Sequence, residues 1–223
     1  MRPRHEWKHE IDLGDVLVLR QRLGAILRPD SHGRQGEYRI RSLYFDNLEN
    51  RALREKLDGV DRREKFRLRC YDTDTSFIRL EKKSKRNGLC YKQSDRMSAQ
   101  EVERLLQGDL VWMGRSDRPL VRELYYKMTT QGLRPRTLVD YRRKAYVYPA
   151  GNVRVTLDDD LRTGLGGVDL LDPQLPLVRA GDAPTLLEVK WDEFLPDCVR
   201  MAVQLPNRRA GAFSKYAACR VYG

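Results

Sequence analysis

The segment Lys65-x-Arg67-x-Arg69 places a cation at every second residue, with Phe66, Leu68 and Cys70 between and beyond them. Period two is the spacing of one face of a β-strand, so three cationic head groups would project side by side from one face. The division recurs. Arg79 and Lys83 flank Glu81, Arg154 alternates with Thr156 and Asp158, Arg143 shares a face with Tyr141, and Glu188 precedes Lys190 by two. Near the N-terminus Glu6 and Lys8 repeat it. For one strand alone the reading is a solvated outer face. For several strands together it is a site for a highly charged anion. Phosphate oxygens suit such a site, because Arg binds them bidentately and Lys acts as a point charge. Glu6, Glu81 and Glu188 among the cations read either as salt-bridge partners or as oxygen ligands for Mg²⁺ or Mn²⁺. Those ions favour one or two carboxylates completed by water and substrate phosphate.

The elements that must carry these residues follow from pattern and punctuation. Strands are expected over 4–11, 36–46, 63–71, 77–83, 89–94, 136–149, 152–158 and 185–190, each alternating in polarity. Asn87-Gly88 is a two-residue hairpin signal that turns one strand back as the next, bringing Lys92 with it. Val16, Leu19, Leu23, Ile26 and Leu27 recur at helical spacing after Asp12 or Asp15, and Pro29 follows. Ser98-x-x-Glu101 is a capping box, and the helices it opens fill 98–130, read as a helical insertion between strands. The stretch 164–184 reads as loop, and short helices are expected near 198–203 and 214–219.

Composition narrows the partner. A chain of 223 residues fits one domain, here taken as 1–223, and 40% hydrophobic residues suffice for a core. A net charge of +11 favours a polyanion, whether nucleic acid, a phosphate-rich small molecule or a membrane surface. The four cysteines form no CxxC pair and match no zinc spacing, so reduced cysteines and a cytoplasmic location are expected. His5 and His9 would lie about 13 Å apart along a strand, too far to share a metal. The first residues show no apolar leader, and no run approaches the ~20 apolar residues of a membrane span.

Two architectures suit cationic strand faces: a flat sheet with a basic outer face, or an antiparallel barrel with a polar lumen and helices outside. In a barrel, nine cations facing one another could not persist in a dry interior, since an unpaired buried charge costs several kcal/mol. The lumen must be wet and hold anions. Nucleic-acid binding would call for stacking aromatics among the cations, yet Phe66, Tyr71 and Tyr91 mostly fall opposite or outside them. No GxxxxGK[ST] loop is present, and three histidines support no Ser-His-Asp set.

An ordered set of short motifs carries a resemblance. Arg4-x-Glu6-x-Lys8, Tyr44-Phe45-Asp46, Lys65-x-Arg67-x-Arg69, Glu81-Lys82-Lys83, Tyr141-x-Arg143-x-Ala145-Tyr146, Val153 to Asp158, Leu187 to Lys190 and Phe213 to Tyr216 resemble the VTC domain. That is the polyphosphate polymerase domain of the vacuolar transporter chaperone complex, among the triphosphate tunnel metalloenzymes and related to CYTH phosphatases. The resemblance implies an α+β fold: a closed eight-stranded antiparallel β-barrel, or tunnel, with helices packed outside. It implies ATP or another triphosphate and inorganic polyphosphate as ligands, Mn²⁺ or Mg²⁺ as cofactor, and no nucleic acid. Lys8, Arg67, Arg69, Lys83, Lys92, Arg143, Arg154, Lys190 and Lys215 are then phosphate ligands, with Arg67, Arg69, Arg143, Arg154 and Lys190 acting on the transferred group. Glu188 is the metal ligand, joined by Glu81 and Glu6. Lys65 and Arg79 share the cationic faces as electrostatic support, and Lys215 would cap a tunnel mouth. Arg4 stands where CYTH members carry the first acid of ExExK, which favours the VTC branch. The phosphate-sensing SPX domain and membrane helices of the eukaryotic complex are not expected in these residues. Polymerase and triphosphatase use one constellation, so the choice stays open here, as do a membrane partner and the oligomeric state.

Overall fold

A computed structural model describes residues 4–222. In chain order it contains β1 (His5–Ile11), α1 (Leu13–Ile26), β2 (Arg28–Pro29), β3 (Glu37–Asp46), α2 (Arg51–Leu57), β4 (Arg63–Tyr71), β5 (Asp74–Arg86), β6 (Leu89–Met97), α3 (Ala99–Leu106), α4 (Val111–Gly114), α5 (Pro119–Gln131), β7 (Arg134–Tyr148), β8 (Val153–Thr163), β9 (Val178–Arg179), β10 (Thr185–Trp191), α6 (Asp197–Val203) and α7 (Lys215–Arg220). The first three residues, read above as free of a leader, lie outside the described range.

Eight long strands form one antiparallel sheet in the order β1-β10-β8-β7-β3-β4-β5-β6, with β2 and β9 as two-residue additions to β7 and β8. Period-two alternation then sorts every strand onto the same two faces. On the convex face Leu43, Phe45, Phe66, Leu68 and Leu80 pack under Val102 and Leu105 of α3 and Leu120 and Leu124 of α5. Farther along the same face Val155, Leu187 and Val189 pack under Leu19 and Leu23 of α1 and Val199 of α6. The concave face is left to the cations.

Two expectations change. The sheet is curled but open rather than a closed barrel: β1 and β6 are its two ends and exchange no ladder bonds among the described residues. The seam carries Lys8 on one side and the in-register pair Lys83 and Lys92 on the other. Lys8 is paired with Glu6 and Lys92 with Glu81, so of these three only Lys83 forms no ion pair among the described residues. Second, not every helix packs outside. Tyr216 and Cys219 of α7 are buried with Tyr44, Val139 and Tyr141 on the concave face, so this last helix plugs part of the hollow. It settles there because Tyr216 stacks on Tyr44, ring centroids 5.1 Å apart, and donates its hydroxyl to Asp46 at 2.6 Å.

Candidate active site in the concave face

Strand register decides which charges meet. On the β3–β4–β5 wall, Tyr44 pairs with Arg67 and Arg67 with Glu81. Arg67 donates to Glu81 through Nε at 2.7 Å and to the Tyr44 hydroxyl through Nη1 at 2.7 Å. Arg69 reaches the same carboxylate at 3.8 Å and donates to Ser42 Oγ at 3.3 Å. Lys92 of β6 closes on the second Glu81 oxygen. Glu81 is thus buried among three cations, and they hold its carboxyl far below the ordinary carboxylate range despite the opposing effect of burial.

The facing wall is built by β1, β10, β8 and β7. Arg143 grips Asp158 with Nε and Nη2 at 2.6 and 2.7 Å, a bidentate pair across register partners of β7 and β8. Lys215, the first residue of α7, reaches Asp158 at 2.8 Å, and its ammonium lies 4.6 Å above the Tyr141 ring. Arg143 Nη2 comes within 3.6 Å of Glu188, which also contacts Lys190. Glu6 contacts Lys8 and lies 3.7 Å from Lys190. Burial raises the Glu188 carboxyl, but Lys190, Lys8 and Arg143 outweigh it and hold it well below the usual range. Opposite Glu188 in register, the Thr156 hydroxyl is buried with no hydrogen-bond partner. Such an orphaned group calls for a water or a ligand oxygen.

Some cations have no acid. Lys65 and Lys83 stand directly opposite each other on β4 and β5. Burial lowers both ammonium groups, and neighbouring cations add to it: Arg67 for both, Lys8 and Lys56 for Lys65, Lys190 for Lys83. Like charges in register destabilise a sheet, and among the described residues this row has no ion-pair partner.

The structure brings together Lys8, Lys65, Arg67, Arg69, Lys83, Lys92, Arg143, Lys190 and Lys215, with Glu6, Glu81 and Glu188. Arg79 and Arg154 stand on the same face, Arg79 in register with Arg69 and Arg154 in register with Lys190. Arg79 lies over the Phe77 ring at 4.8 Å, opposite Arg96. Arg154 meets the buried Asp30 at 2.7 Å and the Tyr38 hydroxyl at 2.6 Å. Asp158, Thr156 and Tyr44 are site residues the motif reading left without a role. The alternation already placed Asp158 and Thr156 on the face of Arg154, and that was their signal. Tyr44 had none, because its value lies in the Arg67 contact.

Among the described residues no group of three or more His, Cys, Asp or Glu side chains converges, so no all-protein metal cage exists. A dication that brings its own water and phosphate ligands needs less, and Glu188 with the vacant Thr156 hydroxyl beside it fits that requirement. Glu6 can be drawn in through their shared contact with Lys190. Glu81 fits poorly, because three cations already occupy it.

Among solved structures, a candidate adenylate cyclase from Bacillus halodurans superposes with a TM-score of 0.51 at 13% identity, covering 85% of this chain and 80% of its own. A protein of Pyrococcus horikoshii follows with a TM-score of 0.46 at 13% identity, covering 90% and 85%. At such identity the first likeness concerns the fold alone. No curated protein matches the chain. No helix among the described residues is long and apolar enough to cross a membrane. The VTC domain model matches residues 3–222, nearly the whole sequence and every strand of the cationic hollow, and the chain belongs to the VTC domain family.

Proposed function

We propose that the concave face binds the triphosphate of ATP and transfers its terminal phosphoryl group to phosphate, pyrophosphate or a growing polyphosphate end. The observation that carries this reading is the unpaired row Lys65–Lys83, flanked by Arg67 on one wall and by Lys190 and Arg143 on the other. Cations outnumber acids in the hollow, and a linear polyanion neutralises them along its length.

Phosphoryl transfer asks mainly for positioning and charge stabilisation, because its transition state is loose. Arg67 is held rigid by Glu81 and Tyr44, and Arg143 by Asp158, so both present their remaining N–H groups without reorganising. Arg69, Lys190 and Lys92 add charge around the transferred group. Lys8, Lys65 and Lys83 seat the outer phosphates, and Lys215 approaches from α7. Arg154 and Arg79 add charge beside Lys190 and Arg69, their register partners. Glu188, with Glu6 in support, would hold Mn²⁺ or Mg²⁺, which would supply charge neutralisation to the bound phosphates. An acceptor that is already anionic needs no general base from the protein.

The open seam between β1 and β6 also admits water, which favours triphosphate hydrolysis as a second reading. Nucleic acid is disfavoured because Tyr38, Tyr44 and Tyr141 on this face are buried and engaged by Arg154, Tyr216 and Lys215. Incubation with ATP and Mn²⁺, with products resolved on a gel, separates these. A ladder of long chains supports polymerisation, orthophosphate alone establishes hydrolysis, and neither product overturns both.

A further inference from the structure

A second cationic feature lies outside the hollow. Between α2, α5 and the β5–β6 turn is a cavity of about 590 Å³. Arg62, Arg63 and Arg86 line it together with Lys65. Among the described residues none of the three arginines pairs with a carboxylate, and Arg63 donates only to the Val60 carbonyl. The acids that border the cavity are already taken. Glu55 is held by Arg51 at 2.7 Å, Glu64 by Lys127 and by Lys82 at 3.0 Å, and Asp46 accepts from Tyr216 and from the first backbone amides of α2. Three free guanidinium groups in a concave site need anionic oxygens.

The cavity is continuous with the hollow. Lys65 belongs to both, Lys83 stands opposite it, and one register step outward Arg63 stands opposite Lys85. Burial lowers the ammonium of Lys56 on α2, and the charges of Arg63, Lys8 and Lys85 lower it further. Among the described residues Lys83, Lys65, Arg63 and Arg86 form no ion pair; Lys83 stands in register with Lys65, and Lys65, Arg63 and Arg86 line one cavity. Towards the opposite end of β4, roughly 26 Å away by strand rise, the in-register cations Arg69, Arg79 and Arg96 are engaged, Arg69 by Glu81 and the other two by the Phe77 ring. There Tyr71 packs with Tyr38 and His32, and the nearby Arg154 is held by Asp30.

We propose that this cavity receives the segment of a condensed phosphate chain that extends beyond the hollow, so that the chain passes the Arg63 end of β4 and not the Tyr71 end. The inference rests on the reading of the hollow as a triphosphate site. It adds a length requirement: tripolyphosphate fills the hollow alone, whereas a longer chain engages both.

The test is calorimetric titration with tripolyphosphate and with long-chain polyphosphate, on the wild type and on a triple variant Arg62→Gln, Arg63→Gln, Arg86→Gln. The variant is expected to keep tripolyphosphate affinity and to lose about tenfold or more of the long-chain affinity. Retained tripolyphosphate binding certifies its fold. Arg86→Glu alone, at an exposed turn, should shift the same ratio in the same direction. An unchanged ratio in both variants overturns the proposal while leaving the hollow intact. Failure of the wild type to bind either anion overturns the reading of the hollow itself. Single-stranded RNA competing for the long-chain component with the same arginine dependence would overturn the assignment to condensed phosphate.

Discussion

Arg143 and Asp158 face each other in register on β7 and β8, joined by two hydrogen bonds of 2.6 and 2.7 Å, and Asp158 is 2% exposed. Lys215 adds a third contact to the same carboxylate from α7. The pair ties two strands and the plug helix into one charged unit. Removing one member leaves a buried charge uncompensated. Asp158→Ala is expected to destabilise the fold by about 3–5 kcal/mol, read as a drop in the denaturation midpoint. A loss below about 1 kcal/mol would show that water reaches the guanidinium and that the wall is not dry.

Glu188 is predicted to act in turnover more than in stability. Glu188→Gln keeps the shape and removes the charge. Phosphoryl transfer with Mn²⁺ should fall by about 100-fold or more, in the range of losses when one preorganised charge-stabilising group is removed. Steady-state rates close to wild type would sink its assignment as the metal carboxylate.

Tyr44 carries a pH dependence. Burial opposes its ionisation, but Arg67, Lys65 and Arg69 outweigh burial and bring the phenol down to about 8 from the ordinary 10.0. Between those two values the unfolded chain keeps a proton that the folded chain has released, so this group adds stability as pH rises across the window. The contribution disappears as pH falls through about 8. Binding runs the other way, because a phenolate among the cations competes with the incoming anion. Phenolate absorbance should show one tyrosine titrating near 8, absent in Tyr44→Phe. Tripolyphosphate affinity should fall more steeply with alkaline pH in the wild type than in the variant. Coincident affinity profiles would refute the role, since Lys65 and Lys83 titrate in both.

Asp46 links the end of β3 to both α2 and α7. Its carboxylate accepts from the amides of Asn47, Ala52 and Leu53 and from the Tyr216 hydroxyl at 2.6 Å, and it is fully buried. Tyr216→Phe should cost about 1–2 kcal/mol, and Asp46→Ala distinctly more, because three amides and a hydroxyl lose their acceptor together. Chemical denaturation of the two variants checks the order. Equal losses would mean that the α7 contact alone matters.

Much of the architecture was legible locally. Asn87-Gly88 predicts a tight hairpin, and both residues take the left-handed conformation such a turn requires, φ 51° and 76°. Ser98 and Glu101 form the reciprocal cap their spacing predicts. Every expected strand overlaps an observed one and overruns it by no more than one residue, although β5 runs from Asp74 to Arg86 and β8 on to Thr163, beyond the alternating cores read in them. The short helix α4 escaped notice, being a single turn with Met113 as its buried residue.

What the sequence by itself determined was the face on which each charge lies. Parity along a strand is a local property, so Lys65, Arg67 and Arg69 had to project together whatever the strand paired with. Which cation meets which carboxylate was decided only by the tertiary structure. Arg67 meets Glu81 and Arg143 meets Asp158 because of inter-strand register, and Lys215 meets Asp158 because α7 turns back into the hollow. The same long-range packing sent Arg154 to Asp30, more than a hundred residues away in sequence, left β1 and β6 apart, and left Lys83, Lys65, Arg63 and Arg86 without an ion pair among the described residues. Register and closure are settled by the sum of contacts across the whole sheet, and no single strand encodes that sum.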